Sequence, residues 1–337
     1  MKLLLDNASI WEEIDGMTFD DYLDKFNPAQ CESNYGGHML LSSLADWIEW
    51  MTIVSSTPPW PNVVDAIIDS CGTDEYITKL TGGEYSQIDR EDLGEDLRSV
   101  IEKRRLVLRG YYPFEFDNRE RLVLRKNFNL SNSAYVVLLQ ISMLKSWTST
   151  DKVPLNCYTQ LFEFVVEDAF KSAGYDSSII GTSRGGSFVN NLKRTADELG
   201  IVSDSSGVAH SKAAKDEKVD VVAGRFFRDK RKGEAIILIQ ATCAKDSKWE
   251  AKLSNISLSR WRRYFLECLT PTCYLAIPYH ASEENATLLT DLDEKTALLL
   301  DRDYDLVLML TWKSCNSQGF LRKRYNEMNT YTKQYLS

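Results

Sequence analysis

The chain has 337 residues, 43% hydrophobic and 26% charged, the balance of an ordinary globular protein with room for two domains or one large one. No apolar stretch approaches the ~18–20 residues that cross a bilayer, and Met1-Lys2-Leu3-Leu4-Leu5-Asp6 turns acidic too soon for a signal peptide, so a cytoplasmic protein without a membrane partner is expected. Seven scattered cysteines with no CxxC pair, and three histidines far apart, lack the close ligand pairs that announce structural zinc.

The first part reads as mostly helical. Leu40, Leu41, Leu44, Ile48 and Met51 recur near helical spacing and predict a helix over 38–51. Pro58-Pro59-Trp60-Pro61 stops it, and a second helix is expected over 62–70 and a strongly charged third over 91–108. Short extended pieces, 111–116 and 121–124, flank Asp117-Asn118; a helix follows over 131–145, with Tyr135, Val136, Leu138, Leu139, Ile141 and Leu144 as its buried side. The polar, proline-bearing stretch 146–154 separates a helical domain (1–150) from a second domain (151–337).

The second part alternates. A helix over 158–173 ends at Gly174, a residue suited to the left-handed cap, and another is expected over 190–199. Residues 202–218 are polar and rich in small side chains. Val219-Asp220-Val221-Val222 and residues 235–243 read as two buried strands joined by the basic turn 228–233, an antiparallel hairpin. Helices over 256–268 and 292–300 each precede a strand, 273–278 and 305–310, as in parallel crossovers. The predicted fold class is therefore α/β: a helical N-terminal domain followed by a mixed sheet with flanking helices.

Charge is unevenly spread. Residues 1–150 hold 14 basic and 24 acidic side chains, whereas residues 224–263 hold 11 basic and 4 acidic ones. Because salt confines each charge to about 8–10 Å, this local excess matters more to a phosphate backbone than the net −9 of the chain. Arg225, Arg228, Lys230, Arg231, Lys232, Arg260, Arg262 and Arg263 are the candidate nucleic-acid contacts; a hairpin turn and a solvated helix face would also account for them. Trp249 and Trp261, set among these residues, either stack on bases or pack inward, the commoner fate.

The run Ile236-Ile237-Leu238-Ile239 ends abruptly in Gln240-Ala241-Thr242-Cys243, and Asp220 interrupts the strand before it. Desolvating a carboxylate costs several kcal/mol unless it is paired, so Asp220 needs a partner: a metal, an arginine or backbone. Gln240 and Thr242 share one strand face. Glu163 lies at the margin of the apolar arc of its helix, with Glu167 further toward solvent. A hard divalent cation needs such convergent oxygens.

Glu163 on a helix ending at Gly174-Tyr175, then Asp220, then Gln240-Ala241-Thr242 resembles the PD-(D/E)XK, or restriction-endonuclease-like, nuclease superfamily, and most closely its Mrr-type branch. The match spans roughly 155–312. The resemblance implies a Mg²⁺-dependent DNA endonuclease, with Mn²⁺ as an alternative ion, in bacterial restriction or anti-phage defence. It makes Asp220, Glu163 and Gln240 metal-site and catalytic residues. The lysine such enzymes carry two positions after Gln240 is Thr242 here, which leaves Lys245, Lys248 or Lys252 to replace it, or catalysis lost and a nuclease-like subunit that binds DNA or assembles with a partner. The acidic first domain is then a restraint or a docking surface for a regulatory protein.

Overall fold

The computed structural model describes residues 40–55, 57–71, 90–128, 130, 133–146, 155–206, 217–226, 235–266, 269–281, 297–300 and 330–331. The three expected early helices are α1 (Leu40–Val54), α2 (Trp60–Cys71) and α3 (Arg90–Leu108). Leu44, Ile48 and Met51 of α1 are buried, as their spacing requires. Strands β1 (Phe114–Phe116) and β2 (Leu122–Leu124) form the expected antiparallel pair around Asp117. That carboxylate closes the turn by accepting the backbone N–H groups of Arg119 and Arg121 and the guanidinium of Arg121. Helix α4 (Ala134–Ser146) is buried on every side; of its thirteen residues only Lys145 is not.

A charged network sits inside this helical part. Arg104 of α3 is 1% exposed and pairs with Glu49 at 2.7 Å and Asp46 at 3.0 Å, both on α1. The hydroxyls of Tyr112 and Tyr135 donate to the two oxygens of Glu49, each at 2.6 Å, and Ser142 donates to Asp46 at 2.7 Å. Burial first, and then the Glu49 carboxylate, push the Tyr112 hydroxyl well above its ordinary pKa of 10.0. The network reaches the second half of the chain, because Tyr135 lies 2.9 Å from Nε2 of His280.

The second part opens with α5 (Leu155–Ser172), closed by Gly174 at φ +86, a left-handed conformation that spares glycine the Cβ penalty. A five-stranded sheet follows in the order β3 (Asp176–Ile179), β4 (Val221–Gly224), β5 (Ile236–Ala241), β6 (Thr272–Ala276), β7 (Ala297–Leu300). The first two pairings are antiparallel and the last two parallel, which makes the sheet mixed. Helices cover both faces at β3. Ser177 donates to the carbonyl of Glu167 on α5, while its neighbour Ser178, on the other face, meets Thr195 and Glu198 of α6 (Phe188–Leu199).

Three sequence expectations change. Strand β3 was not foreseen. The helix expected over 256–268 is the shorter α8 (Leu258–Tyr264), starting after Ile256 drops into the core and Ser257 turns extended, and a separate helix, α7 (Trp249–Ser254), precedes it. The segment 292–300, read as helix, contains strand β7, because the short apolar run Ala297–Leu300 finds a parallel partner in β6. The strand expected over 305–310 lies outside the described residues. Among the described residues no helix is long and apolar enough to cross a membrane.

Removing the guanidinium at position 104 leaves two buried carboxylates uncompensated. Arg104→Ala is expected to cost about 3–5 kcal/mol in chemical denaturation; a loss below about 1 kcal/mol would show that the network does not hold the helices together.

Candidate active site

The candidate site lies where β3 ends, β4 begins and β5 ends. Asp220 occupies the residue before β4. Its N–H donates to the Ile239 carbonyl at 2.9 Å, and its carbonyl accepts the N–H groups of Ile180 and Gly181 at 2.9 and 3.2 Å. These bonds fix its backbone, and the Ala241 N–H, 2.9 Å from Oδ2, fixes its carboxylate. The second oxygen, Oδ1, is aimed at Gly181.

Glu163 reaches the same point from α5. A Cβ placed on Gly181 would lie 3.0 Å from Oε2 of Glu163 and 3.3 Å from Oδ1 of Asp220. The two carboxylates, separated by 57 positions in sequence, thus close on one small space that only glycine leaves open. Ser183, in the single turn Thr182–Arg184, donates its hydroxyl to Oε2 of Glu163. Two like charges this close repel unless a cation compensates them.

Gln240 completes the group. One step beyond the Val221–Ile239 pair, it lies opposite Asp220. It is 7% exposed, and its Oε1 has no hydrogen-bond partner among the described residues. A buried amide oxygen without a donor costs about 1–3 kcal/mol, so this atom asks for a ligand. Thr242, two positions after Gln240, is 4% exposed and caps the next turn through Ala244 N–H to Oγ1 at 3.1 Å.

The structure brings together Glu163, Asp220 and Gln240. It does not single out a lysine. Lys245 precedes the single turn Asp246–Lys248, Lys248 is exposed at its end, and Lys252 lies half-buried in α7. One lysine escaped the sequence reading. Lys145, half-buried in the last turn of α4, feels the charges of Cys243 and Lys245 just past the end of β5; desolvation is the main reason its ammonium pKa is lowered, with Cys243 opposing and Lys245 adding to the effect. Ser183 begins the segment Ser183-Arg184-Gly185-Gly186-Ser187, which reads from sequence as a plain turn or, second, a small phosphate-contacting loop; its bond to Glu163 has no local signal.

One further expectation is corrected, and the tryptophans pack inward as the commoner fate expected of them. Glu167 does not face solvent: it is 4% exposed and paired with Arg184 at 2.7 Å and Lys171 at 2.9 Å. Trp249 and Trp261 are core residues, donating their indole N–H groups to the carbonyls of Ala244 and Glu217. Arg260 is held by Glu217 at 2.9 Å, and Arg225 lies over the Tyr175 ring at 5.1 Å. Arg262 and Arg263 are exposed on α8, while Arg228, Lys230, Arg231 and Lys232 fall outside the described residues.

A second cluster has ligand-like atoms within 4.8 Å of one another: Asp46, Glu49 and His280. There the guanidinium of Arg104 already supplies the cation, and tyrosine and serine hydroxyls occupy carboxylate oxygens. Its chemistry is that of a structural ion network.

Comparison with family models, with curated proteins and with solved structures returned no match for this chain.

The crowding at Gly181 has a measurable signature. Gly181→Ala is expected to destabilise the fold by about 1–3 kcal/mol through overpacking. Adding Glu163→Ala should recover part of that loss, giving a coupling of at least about 0.5 kcal/mol in a double-mutant cycle; strict additivity would mean that the Glu163 carboxylate does not reach this space.

Proposed function

We propose that this chain is a metal-dependent nuclease that hydrolyses DNA phosphodiester bonds at the edge of its five-stranded sheet. The observation that carries the reading is the convergence of Glu163 and Asp220 on Gly181, with Gln240, whose Oε1 has no hydrogen-bond partner among the described residues, opposite Asp220 in the strand register. Support also comes from the order of elements. A helix bearing an acid, an antiparallel β3–β4–β5 meander, short helices and a parallel β6 follow the restriction-endonuclease-like plan that the sequence resembles.

The donor set fits a hard divalent cation, Mg²⁺ or Mn²⁺: two carboxylates with a gap between them that a single Cβ would fill, and one neutral amide oxygen on the strand position opposite Asp220. Glu163, Asp220 and Gln240 would hold it. Such an ion polarises a phosphoryl group and lowers the pKa of bound water. The protein's own contribution is preorganisation. Ser183 steadies Glu163, the Ala241 N–H steadies Asp220, and Gln240 offers an oxygen without a third negative charge. Defence against foreign DNA is the role that this chemistry and the resemblance suggest, with the acidic helical half as restraint or docking surface for a regulatory protein.

Thr242 favours a second reading. Its hydroxyl is committed to a turn and it bears no charge, so a nuclease-like subunit that binds DNA without cutting it would keep the same strand.

Plasmid DNA incubated with the full chain separates the two. Cutting is expected with Mg²⁺ or Mn²⁺, none with EDTA, and at least a 100-fold loss in Asp220→Ala. Binding without cutting under every metal condition would establish the inactive subunit instead. Gln240→Leu, close in volume but unable to ligate, is expected to raise the Mn²⁺ concentration needed for half-maximal cutting by about tenfold or more.

A further inference from the structure

Beside the candidate active site, over the outer strand β3, lies a cleft of about 800 Å³ between α5 and α6. It belongs to neither the carboxylate pair nor the basic segment 224–263. Lys171, Arg184 and Arg194 line it with cations, and Phe164 and Tyr175 give it an aromatic wall. Asp176 and Glu198 add carboxylate acceptors, and Ser183 stands at its border with the active site.

Two connections tie this cleft to the carboxylates. Ser183 lines the cleft and donates to Glu163. Arg194 donates from Nη2 to Asn191 at 3.1 Å, and the Asn191 amide donates at 3.2 Å to the carbonyls of Ile180 and Gly181, the glycine on which both acids close. Arg194 is also incompletely satisfied: its Nε is buried and has no hydrogen-bond partner among the described residues. Because Arg194 lines the cleft and is only half-buried, its guanidinium is placed to meet an oxyanion there.

We propose that this cleft is a nucleotide-binding subsite. Arg194 and Lys171 receive a phosphate, the Phe164–Tyr175 wall receives the base, and Asp176 or Glu198 accepts from sugar or base donors. The volume lies within the range of small-ligand sites and suits one nucleotide unit better than a double helix. Arg184 serves as the latch of the subsite: its pairing with Glu167 of α5 and Glu198 of α6 holds the Thr182–Arg184 turn, and with it Ser183, between the two helices. The subsite rests on the nuclease reading for its role, which is to seat an unpaired nucleotide of the strand next to the bond under attack. The same chemistry would take a free mononucleotide.

The test uses the full chain in EDTA, where no cutting competes with binding. A fluorescent single-stranded oligonucleotide and adenosine 5′-monophosphate are titrated separately. Arg194→Ala is expected to weaken the oligonucleotide at least tenfold and to flatten the log–log salt slope by about 0.7, the value for one lost phosphate contact on a single strand. Arg194→Lys should regain most of the affinity, and Arg119→Ala, exposed in the turn between β1 and β2, should stay within twofold of the parent. Unchanged thermal unfolding separates lost binding from lost folding. Tight binding of the mononucleotide assigns the subsite to a free nucleotide; binding of the oligonucleotide alone assigns it to the substrate strand. Oligonucleotide affinity and salt slope unchanged in Arg194→Ala, or no binding of either probe by the parent, overturns the subsite. A parent that binds in this way but never cuts DNA overturns the nuclease reading and leaves the subsite standing.

Discussion

Asp220 is the junction on which sheet and site both depend. Its main chain joins the ends of β3, β4 and β5, and its carboxylate takes the Ala241 N–H. An aspartate held in this way cannot rotate outward to be solvated without giving up a bond to the strand that carries Gln240. The fold therefore fixes the charge where Glu163 is brought against it, and Gly181 is the concession that makes the approach possible. Register, backbone pairing and the position of the acid are one constraint seen three ways.

The parts of this arrangement that were legible in the sequence are those with a local signature. A carboxylate between valines and an apolar run broken by Gln240 are anomalies against a plain background, so Asp220 and Gln240 declare themselves. Gly174 was legible for a similar reason, as a lone glycine after a periodic helix. Strand β3 was not, because Asp176-Ser177-Ser178 is polar. Its serines are paid for by partners on α5 and α6 that no local pattern reveals. The Ala297–Leu300 run was misread because four apolar residues fit a helix or a buried strand equally, and only the edge of β6 decides.

Long-range electrostatics was the least legible layer. The 91–108 helix looks like a solvated, highly charged rod, yet Arg104 is among the most deeply buried side chains of the protein. Lys145 belongs by sequence to the helical half and by position to the end of β5. The basic count over 224–263 pointed to a surface, but Arg260 is committed to Glu217 and Arg225 lies over Tyr175, the ring that lines the β3 cleft. A charge tally along the chain records how many cations are near one another in sequence; whether they are free to meet a ligand depends on acids supplied from elsewhere.

The contact between Tyr135 and His280 bears on how such a protein can change over evolution. With the Tyr135 proton committed to Glu49, the imidazole Nε2 is the donor, so the contact fixes a tautomer as well as a position. Tyr279, the adjacent residue, donates to the carbonyl of Cys243 at 2.6 Å, just past the end of β5. Recombination that exchanged the helical half for an unrelated domain would have to deliver a hydroxyl to the same spot, or strand an imidazole in the interior a few residues after β6. An exchange of one half alone therefore has to preserve this contact.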